Sequence, residues 1–214
     1  MKIAVFAYNF PHRKTQEFLF RLYLEGYDVQ LVLAADPVKL NIAKSTVRVK
    51  PHFSALVEPS RICERLGWRY EAVDHSSDYC AELIKSAKVD IGVIAGARIL
   101  KEPVISAPWI GIINFHPGLI PEVRGLDALQ WAILQDKPIG VTAHLIDRSI
   151  DAGLVILKEE INMLPESLNT IISARDLTNF ELVGHGVYNK KMSPEEEAQV
   201  MGKFCQRLDL LKDI

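Results

Sequence analysis

The chain has 214 residues, of which 49% are hydrophobic, and its formal net charge is −2. A chain of this length and apolar content can bury one sizeable core, so a single domain is the simplest organisation. The charge gives no overall attraction to nucleic acid or to an anionic membrane, and no apolar run approaches the roughly 20 residues that a membrane helix needs. The cysteines are odd in number and lack metal-binding or disulfide spacing, so we expect reduced thiols in a cytoplasmic protein: Cys63, Cys80 and Cys205.

Strands and helices alternate along the first half of the chain. Apolar, β-branched runs predict strands at 2–8, 28–35, 68–73 and 90–96. Helical spacing of apolar residues predicts helices at 15–26, 59–66 and 76–88. The predicted core face of the third helix consists of Tyr79, Leu83, Ile84 and Ala87. Strand–helix–strand units of this length place their strands parallel, so the sequence predicts an α/β fold: a Rossmann-like, mostly parallel twisted sheet with helices on both faces.

The segment 36–57 shows no clear helical or strand period. It contains two prolines and four basic residues, which are Lys39, Lys44, Arg48 and Lys50. A basic segment of this kind is most often a solvated surface, and it is also suited to the diphosphate of a nucleotide-linked substrate. The sequence leaves both interpretations open.

Polar side chains follow the next predicted strand, at 109–115. Asn114 and His116 point to the same side because strand residues alternate in direction. A second strand, predicted at 140–146, runs into a polar loop that contains Asp151. Taken singly, such residues are ordinary caps and turn formers. If the two strands are neighbours, the three side chains meet where strands end, which predicts a site that handles protons and stabilises an oxyanion.

The rest of the chain predicts three helices and one strand. A helix at 126–135 has a core face of Leu129, Ala132 and Ile133, and a strand at 153–161 leads away from the site. A helix is predicted at 168–184, and a capping box at 193–196 opens a final helix that reaches 211. No His, Cys and carboxylate group has metal-ligand spacing, so we expect no metal.

The central motifs resemble one family. They read NFHPGLIP from Asn114, then Arg124-Gly125, then GVTAHLID and IDAGLVI. They resemble the core of the 10-formyltetrahydrofolate-dependent formyltransferases, which carry Asn-x-His-Pro-Ser-Leu-Leu-Pro, an Arg-Gly and an Asp-x-Gly in this order and spacing. Among them, the organisation is closest to the sugar N-formyltransferases. The resemblance implies a formyltransferase catalytic domain at 1–190, with a C-terminal helix at 191–214 packed on the same domain.

The resemblance also implies residue roles. A formyl group would move from N10-formyltetrahydrofolate to a substrate amine, with Asn114 and His116 donating to the formyl oxygen and Asp151 taking the ammonium proton. The stretch Arg98-Ile99-Leu100 resembles the family's pterin-binding Arg-Ile-Leu, and the cofactor-binding prediction is completed by Pro117, Asp147 and Ile150. The residues predicted to border the acceptor are Tyr8, Phe10, Arg124 and Gly125.

The acceptor is predicted by elimination within the family. The first loop, Asn9-Phe10-Pro11-His12, lacks the glycine turn of members that act on glycinamide ribonucleotide. Members that act on methionyl-tRNA carry a second domain, and the hydrolases carry an N-terminal regulatory domain, neither of which we expect here. We therefore expect a small amine, an aminodeoxy sugar on a nucleotide, with no nucleic-acid or membrane partner; a homodimer is left open. The diphosphate of this acceptor would be bound by cations from Arg13, Lys14 and 39–50. Its base would rest on an aromatic platform from Tyr8, Phe10 or Trp131. The alternatives are another amine acceptor, a formyltetrahydrofolate hydrolase and a non-catalytic folate-binding module.

Overall fold

The computed structural model describes residues 1–39, 55–149, 151–159, 181–182, 186 and 188–210. The predictions that involve Ile150, Lys44, Arg48 and Lys50 lie outside these residues. Of the helix predicted at 168–184, only 181–182 are described, and they form a strand. That part of the prediction is wrong.

Within the described residues, ten strands form two sheets. In chain order they are β1 (Lys2–Tyr8), β2 (Asp28–Ala35), β3 (Tyr70–Ala72), β4 (Ile91–Ile94), β5 (Gly111–His116), β6 (Arg124–Gly125), β7 (Val141–Leu145), β8 (Leu154–Glu159), β9 (Glu181–Leu182) and β10 (Tyr188–Asn189). The large sheet has the order β3-β2-β1-β4-β5-β7-β8-β9, and β6 pairs with β10 in a separate ribbon. The strands from β3 to β5 are parallel, whereas β7, β8 and β9 join antiparallel.

Six helices lie within the described residues, and the first four pack on the two faces of the large sheet. They are α1 (Arg13–Leu24), α2 (Pro59–Leu66), α3 (Asp78–Ser86), α4 (Glu102–Ile105), α5 (Ala128–Leu134) and α6 (Pro194–Leu210). Alternate residues of β1 serve opposite cores: Ile3 and Val5 pack with α1 and α2, whereas Phe6 packs with α3 and α4. A strand that is buried on both faces needs a continuous apolar run, which is why the pattern of β1 shows no alternation. The predicted α/β, mostly parallel fold is confirmed.

Two predicted core faces are partly wrong. Tyr79 on α3 is 56% exposed and Leu129 on α5 is 45% exposed, whereas Cys80 and Ala128 beside them are buried. The other predicted members of both faces are buried or pack against the core, so one residue of each predicted face is wrong. Both helices pack through a small side chain at the position nearest the core.

The final helix begins as its capping box predicts. The Ser193 N–H donates to the Glu196 carboxylate at 2.7 Å, and the Glu196 N–H donates to the Ser193 hydroxyl at 3.2 Å. Val200 of this helix packs with Met192 and with Ile133 of α5. No helix in the described ranges combines the length and apolar character needed to cross a membrane.

Candidate active site

β5 and β7 are neighbours in the large sheet. The predicted approach of Asp151 to His116 required this arrangement. They run antiparallel, with His116 opposite Thr142 and Asn114 opposite His144. The loop after β7 therefore leaves the strand at the end away from His116 and has to turn back. Asp151 lies in this returning loop with a left-handed φ of +48°.

His116 and Asp151 form a buried pair. His116 Nδ1 lies 3.3 Å from Asp151 Oδ1, and the histidine is 3% exposed. His116 Nε2 lies 2.9 Å from the carbonyl oxygen of Val123, and the Gly125 N–H donates to Asp151 Oδ2 at 2.8 Å. Both ring nitrogens of His116 therefore face oxygen acceptors within the protein.

The ionisation of Asp151 reflects opposing effects. Burial acts to raise the pKa of its carboxyl, because a charge is disfavoured away from water. The hydrogen bond and charge of His116 and the Gly125 N–H lower the pKa, and together they outweigh burial. The pKa of Asp151 thus lies below its ordinary value, and the side chain is a carboxylate at neutral pH.

Gly118 permits the contact between His116 and Val123. A Cβ at this position would lie 2.7 Å from the Val123 carbonyl oxygen and 3.1 Å from His116 Nε2. The serine that follows His-Pro in the resembling motif would therefore displace the Val123 carbonyl. In this chain, glycine allows the turn to close over the imidazole.

A second histidine, which the sequence analysis did not single out, holds Asn114. His144 is fully buried; its Nδ1 lies 2.8 Å from the Ala152 carbonyl oxygen and its Nε2 lies 3.2 Å from Asn114 Nδ2. Because a carbonyl only accepts, Nδ1 carries the proton, and Nε2 accepts from the Asn114 amide. Burial lowers the pKa of His144 below its ordinary value, which agrees with this neutral form.

A cavity of about 560 Å³ opens in front of Asn114 and Asp151. Its walls come from the segment after β4 and the loop after β7, and one end is closed by Tyr8. The Arg148 guanidinium pairs with the Glu102 carboxylate at 2.9 Å, which ties the loop after β7 to α4. The lining residues that the sequence analysis did not name are mainly aliphatic: Ile94, Ala97, Ile105, Leu126, Ile146, Arg148 and Ser149.

The structure brings together only part of the predicted binding set. The predicted residues that line this cavity are Tyr8, Arg98, Ile99, Leu100 and Asp147. Pro117 is exposed and does not line it, and neither do Phe10, Arg124 or Gly125. Phe10 stacks on Tyr8 with ring centroids 4.9 Å apart, whereas the Trp131 indole donates to the Lys190 carbonyl and packs between α5 and α6.

Lys14 of α1 lies near the end of β5, beside Phe115. Its Nζ is 3.4 Å from the carbonyl oxygen of Phe115, and no carboxylate in the described residues pairs with it. Burial lowers the pKa of Lys14 to about 8. Among the described residues, no group of three or more His, Cys, Asp and Glu side chains is arranged to hold a metal ion.

These features define an α/β protein with a cavity beside Asn114, Asp151 and the buried His116. A sequence profile described as formyl transferase matches residues 1–179, and the chain belongs to that family.

The family comparison extends to curated sequences and solved structures. The methionyl-tRNA formyltransferase of Chlorobium limicola is 30% identical over 164 residues, which make up 73% of this chain and 48% of that protein. The chain spans about half the length of the curated relatives it matches.

Solved structures share the fold. The phosphoribosylglycinamide formyltransferase of Bacillus halodurans has a TM-score of 0.55 at 23% identity, covering 80% of this chain and 87% of that one. A 4-N formyltransferase from Francisella tularensis has a TM-score of 0.58 at 19% identity, covering 93% of this chain and 85% of that one. At these identities, the similarity concerns the fold alone.

Proposed function

We propose that the chain is an N-formyltransferase that moves a formyl group from N10-formyltetrahydrofolate to a primary amine of a small molecule. The observation that carries this proposal is the position of Asp151. Its carboxylate is held by His116 and by the Gly125 N–H, and it borders the same cavity as Asn114. A fixed carboxylate beside a carboxamide donor suits the attack of an amine on a formyl carbon.

The cavity fits a folate. A pterin is a flat ring whose edge alternates donors and acceptors, and such rings bind in mainly apolar pockets with a few polar groups. Ile94, Leu100 and Ile146 supply apolar walls, and Asn114, Asp147 and Ser149 add polar groups to the lining. When bound, the folate supplies the formyl group.

The protein's own residues then have distinct roles. Asn114 offers an amide hydrogen to the formyl oxygen while His144 holds the other hydrogen of the same NH₂ group. Asp151 takes the proton from the amine, directly or through water, while the His116 ring beside it holds the carboxylate in place. Direct donation from His116 Nε2 to a substrate requires the ring to leave the Val123 carbonyl.

For the acceptor, we propose an aminodeoxy sugar carried on a nucleotide diphosphate. Lys14 supports this, because a partly buried ammonium without a carboxylate partner in the described residues is a ready site for a phosphate. The stacked Tyr8 and Phe10 rings lie nearby at the end of β1 and offer an aromatic face for a base. The competing acceptor is methionyl-tRNA, which the names of the curated relatives favour.

The test is a competition in one reaction. The chain is incubated with N10-formyltetrahydrofolate, initiator methionyl-tRNA, glycinamide ribonucleotide and a set of nucleotide-linked amino sugars, and each formylated product is quantified. We expect a sugar to be formylated first, and Lys14→Met to raise its KM. Preferred formylation of tRNA or the ribonucleotide would refute the acceptor and leave formyl transfer intact.

A second experiment tests formyl transfer itself. His116→Ala is expected to lower turnover by about 100- to 1,000-fold, since the ring holds the proposed base Asp151 and a positioned base typically contributes a factor of this order. Asp78→Asn, an exposed carboxylate on α3, is the matched control and should leave turnover unchanged. A folded His116→Ala protein with full turnover would contradict the proposal.

A further inference from the structure

We infer that the segment 188–197, which lies beyond the part of the chain matched by the family profile, positions Asp151, and that Asp127 and Lys191 are the positioning residues through which it acts. The inference rests on the proposed function, because it assigns a supporting role to a carboxylate proposed to take part in formyl transfer. It concerns contacts within the described residues only.

The first link is between Asp151 and β6. The Gly125 N–H is the backbone donor to Asp151 Oδ2, at 2.8 Å. Gly125 belongs to a strand of two residues, and β10 is the strand that pairs with it, with Asn189 opposite Gly125. The position of this donor therefore depends on the C-terminal segment.

The two backbones approach very closely. A Cβ at Gly125 would lie 2.0 Å from the Asn189 carbonyl oxygen, and Gly125 has a φ of +94°. The Leu126 N–H donates to the same Asn189 oxygen at 3.0 Å. A displacement of β10 would move Gly125 because no side chain separates the two strands.

The second link is a partly buried ionic cluster that fixes β10 to the loop after β6. Asp127 Oδ2 accepts from Lys191 Nζ at 2.6 Å and from the Met192 N–H at 2.9 Å. Lys191 also pairs with Glu197 at 3.3 Å, and Glu197 is 1% exposed. Because Glu197 is buried, removal of the Lys191 cation is costly, and this cost holds the cluster in its geometry.

The third link extends the attachment to α5. The Trp131 indole N–H donates to the Lys190 carbonyl at 2.8 Å, and the Gln135 amide donates to Asn189 Oδ1 at 3.1 Å. Asp127 is the N-cap of α5 and has a left-handed φ of +53°. The ribbon, the ionic cluster and α5 thus form one unit that fixes the donor facing Asp151.

The test compares two neighbouring lysines in the full chain. Lys191→Met removes the cation from the cluster, whereas Lys190→Met changes an exposed side chain whose backbone carbonyl is retained. We expect Lys191→Met to lower kcat by at least about tenfold with KM for the formyl donor within about twofold, since it removes bonds to charged groups that fix the Gly125 donor. Lys190→Met should match the wild type, and Lys191→Arg should restore much of the loss.

A second readout does not depend on turnover. Hydrogen exchange of the Gly125 amide, followed by NMR, should accelerate in Lys191→Met, while amides in the centre of β1 stay protected. If the variant does not fold, Asp127→Asn replaces it, because asparagine tolerates the left-handed conformation and keeps an acceptor for the Met192 N–H.

The outcomes separate the two proposals. A folded Lys191→Met protein with wild-type kcat and a protected Gly125 amide would overturn the positioning role. A parallel loss of kcat, donor affinity and melting temperature with Gly125 still protected would show a merely structural cluster and would also overturn it. Absence of formyl transfer by the wild type, with Gly125 exchange accelerated in the variant, would instead refute the proposed function.

Discussion

His144 offers a test of how Asn114 is oriented, since its two ring nitrogens contact different partners and can be mimicked separately. Glutamine places an acceptor oxygen near the position of Nε2, and asparagine places a donor nitrogen near the position of Nδ1. His144→Gln should therefore keep the contact to Asn114, while His144→Asn should keep the contact to the Ala152 carbonyl. The two variants distinguish the orientation of Asn114 from the support of the loop.

The magnitude follows from the hydrogen bond that each variant loses. His144→Asn leaves an Asn114 N–H without its acceptor in a buried site, at a cost of about 1–3 kcal/mol. If that cost falls on the transition state, kcat decreases by roughly 5- to 150-fold, because each 1.36 kcal/mol is a factor of ten. His144→Gln leaves the Ala152 carbonyl without its donor at a similar cost, which falls on the stability of the loop, so its kcat should stay within about fivefold of the wild type.

The assay is steady-state release of tetrahydrofolate, with kcat and KM determined for both substrates and the melting temperature recorded for each variant. Equal kcat values for the two variants at equal stability would refute the orientation of Asn114 by His144. A large loss in His144→Gln together with an active His144→Asn would show that the Ala152 contact is the one that matters.

Two further predictions concern stability. Burial lowers the pKa of Lys14 from 10.5 to about 8, so the charged form destabilises the folded state below pH 8. The free energy of unfolding should therefore rise as the pH increases from 8 towards 10.5. Lys14→Met should raise the free energy of unfolding at pH 7 by on the order of 2 kcal/mol and remove the gain above pH 8 in urea titrations; an unchanged pH dependence would contradict this. Gly153→Ala should lower the free energy of unfolding by at least about 3 kcal/mol, because the residue has a φ of +104° and its Cβ would lie 2.0 Å from the Leu145 carbonyl oxygen. Its control, Gly202→Ala on α6, meets no neighbouring atom and should raise stability by about 0.5–1 kcal/mol; equal effects of the two changes would refute the steric reasoning.

The sequence predicted the parallel half of the sheet well because its strands are buried on both faces. β1 is apolar from Ile3 to Ala7 and β2 from Leu31 to Ala35, and the observed bounds of both strands match the predicted ones. α2 covers the predicted residues 59–66, and Gly67 ends it in a left-handed conformation. These features depend on local pattern, which a sequence displays directly.

The antiparallel half was harder to predict. Nothing in the residues of β7 specifies its direction relative to β5, because an apolar strand of five residues suits either pairing. One pattern was available, however: Thr142 and His144 alternate with apolar residues and are both fully buried on the same side. Thr142 accepts from the Ile120 N–H and donates to the Gly118 carbonyl, so both polar residues of this strand support the turn or the carboxamide of the site.

Contacts distant in sequence account for the remaining differences. Arg124 and Gly125 were predicted to border the acceptor, but they form a ribbon with β10 and do not line the described cavity. The partners of Asp127 lie more than 60 residues further along the chain, at Lys191 and Met192. No local period or spacing reports such a pairing, so the sequence alone gave it no support.

Three consecutive residues connect all parts of the site. Asp151 holds the His116 ring, the Ala152 carbonyl holds the His144 ring that orients Asn114, and Gly153 lets the chain pass against the Leu145 carbonyl. Because β7 is antiparallel, this loop must fold back over the strand, and its close passage is possible only where a side chain is absent. The imidazole and the carboxamide are thus oriented from one short loop. A displacement of that loop would disturb the imidazole and the carboxamide at once. The Gly125 N–H, which also holds Asp151, belongs to the ribbon of β6 and β10 and so attaches the loop to a second part of the fold.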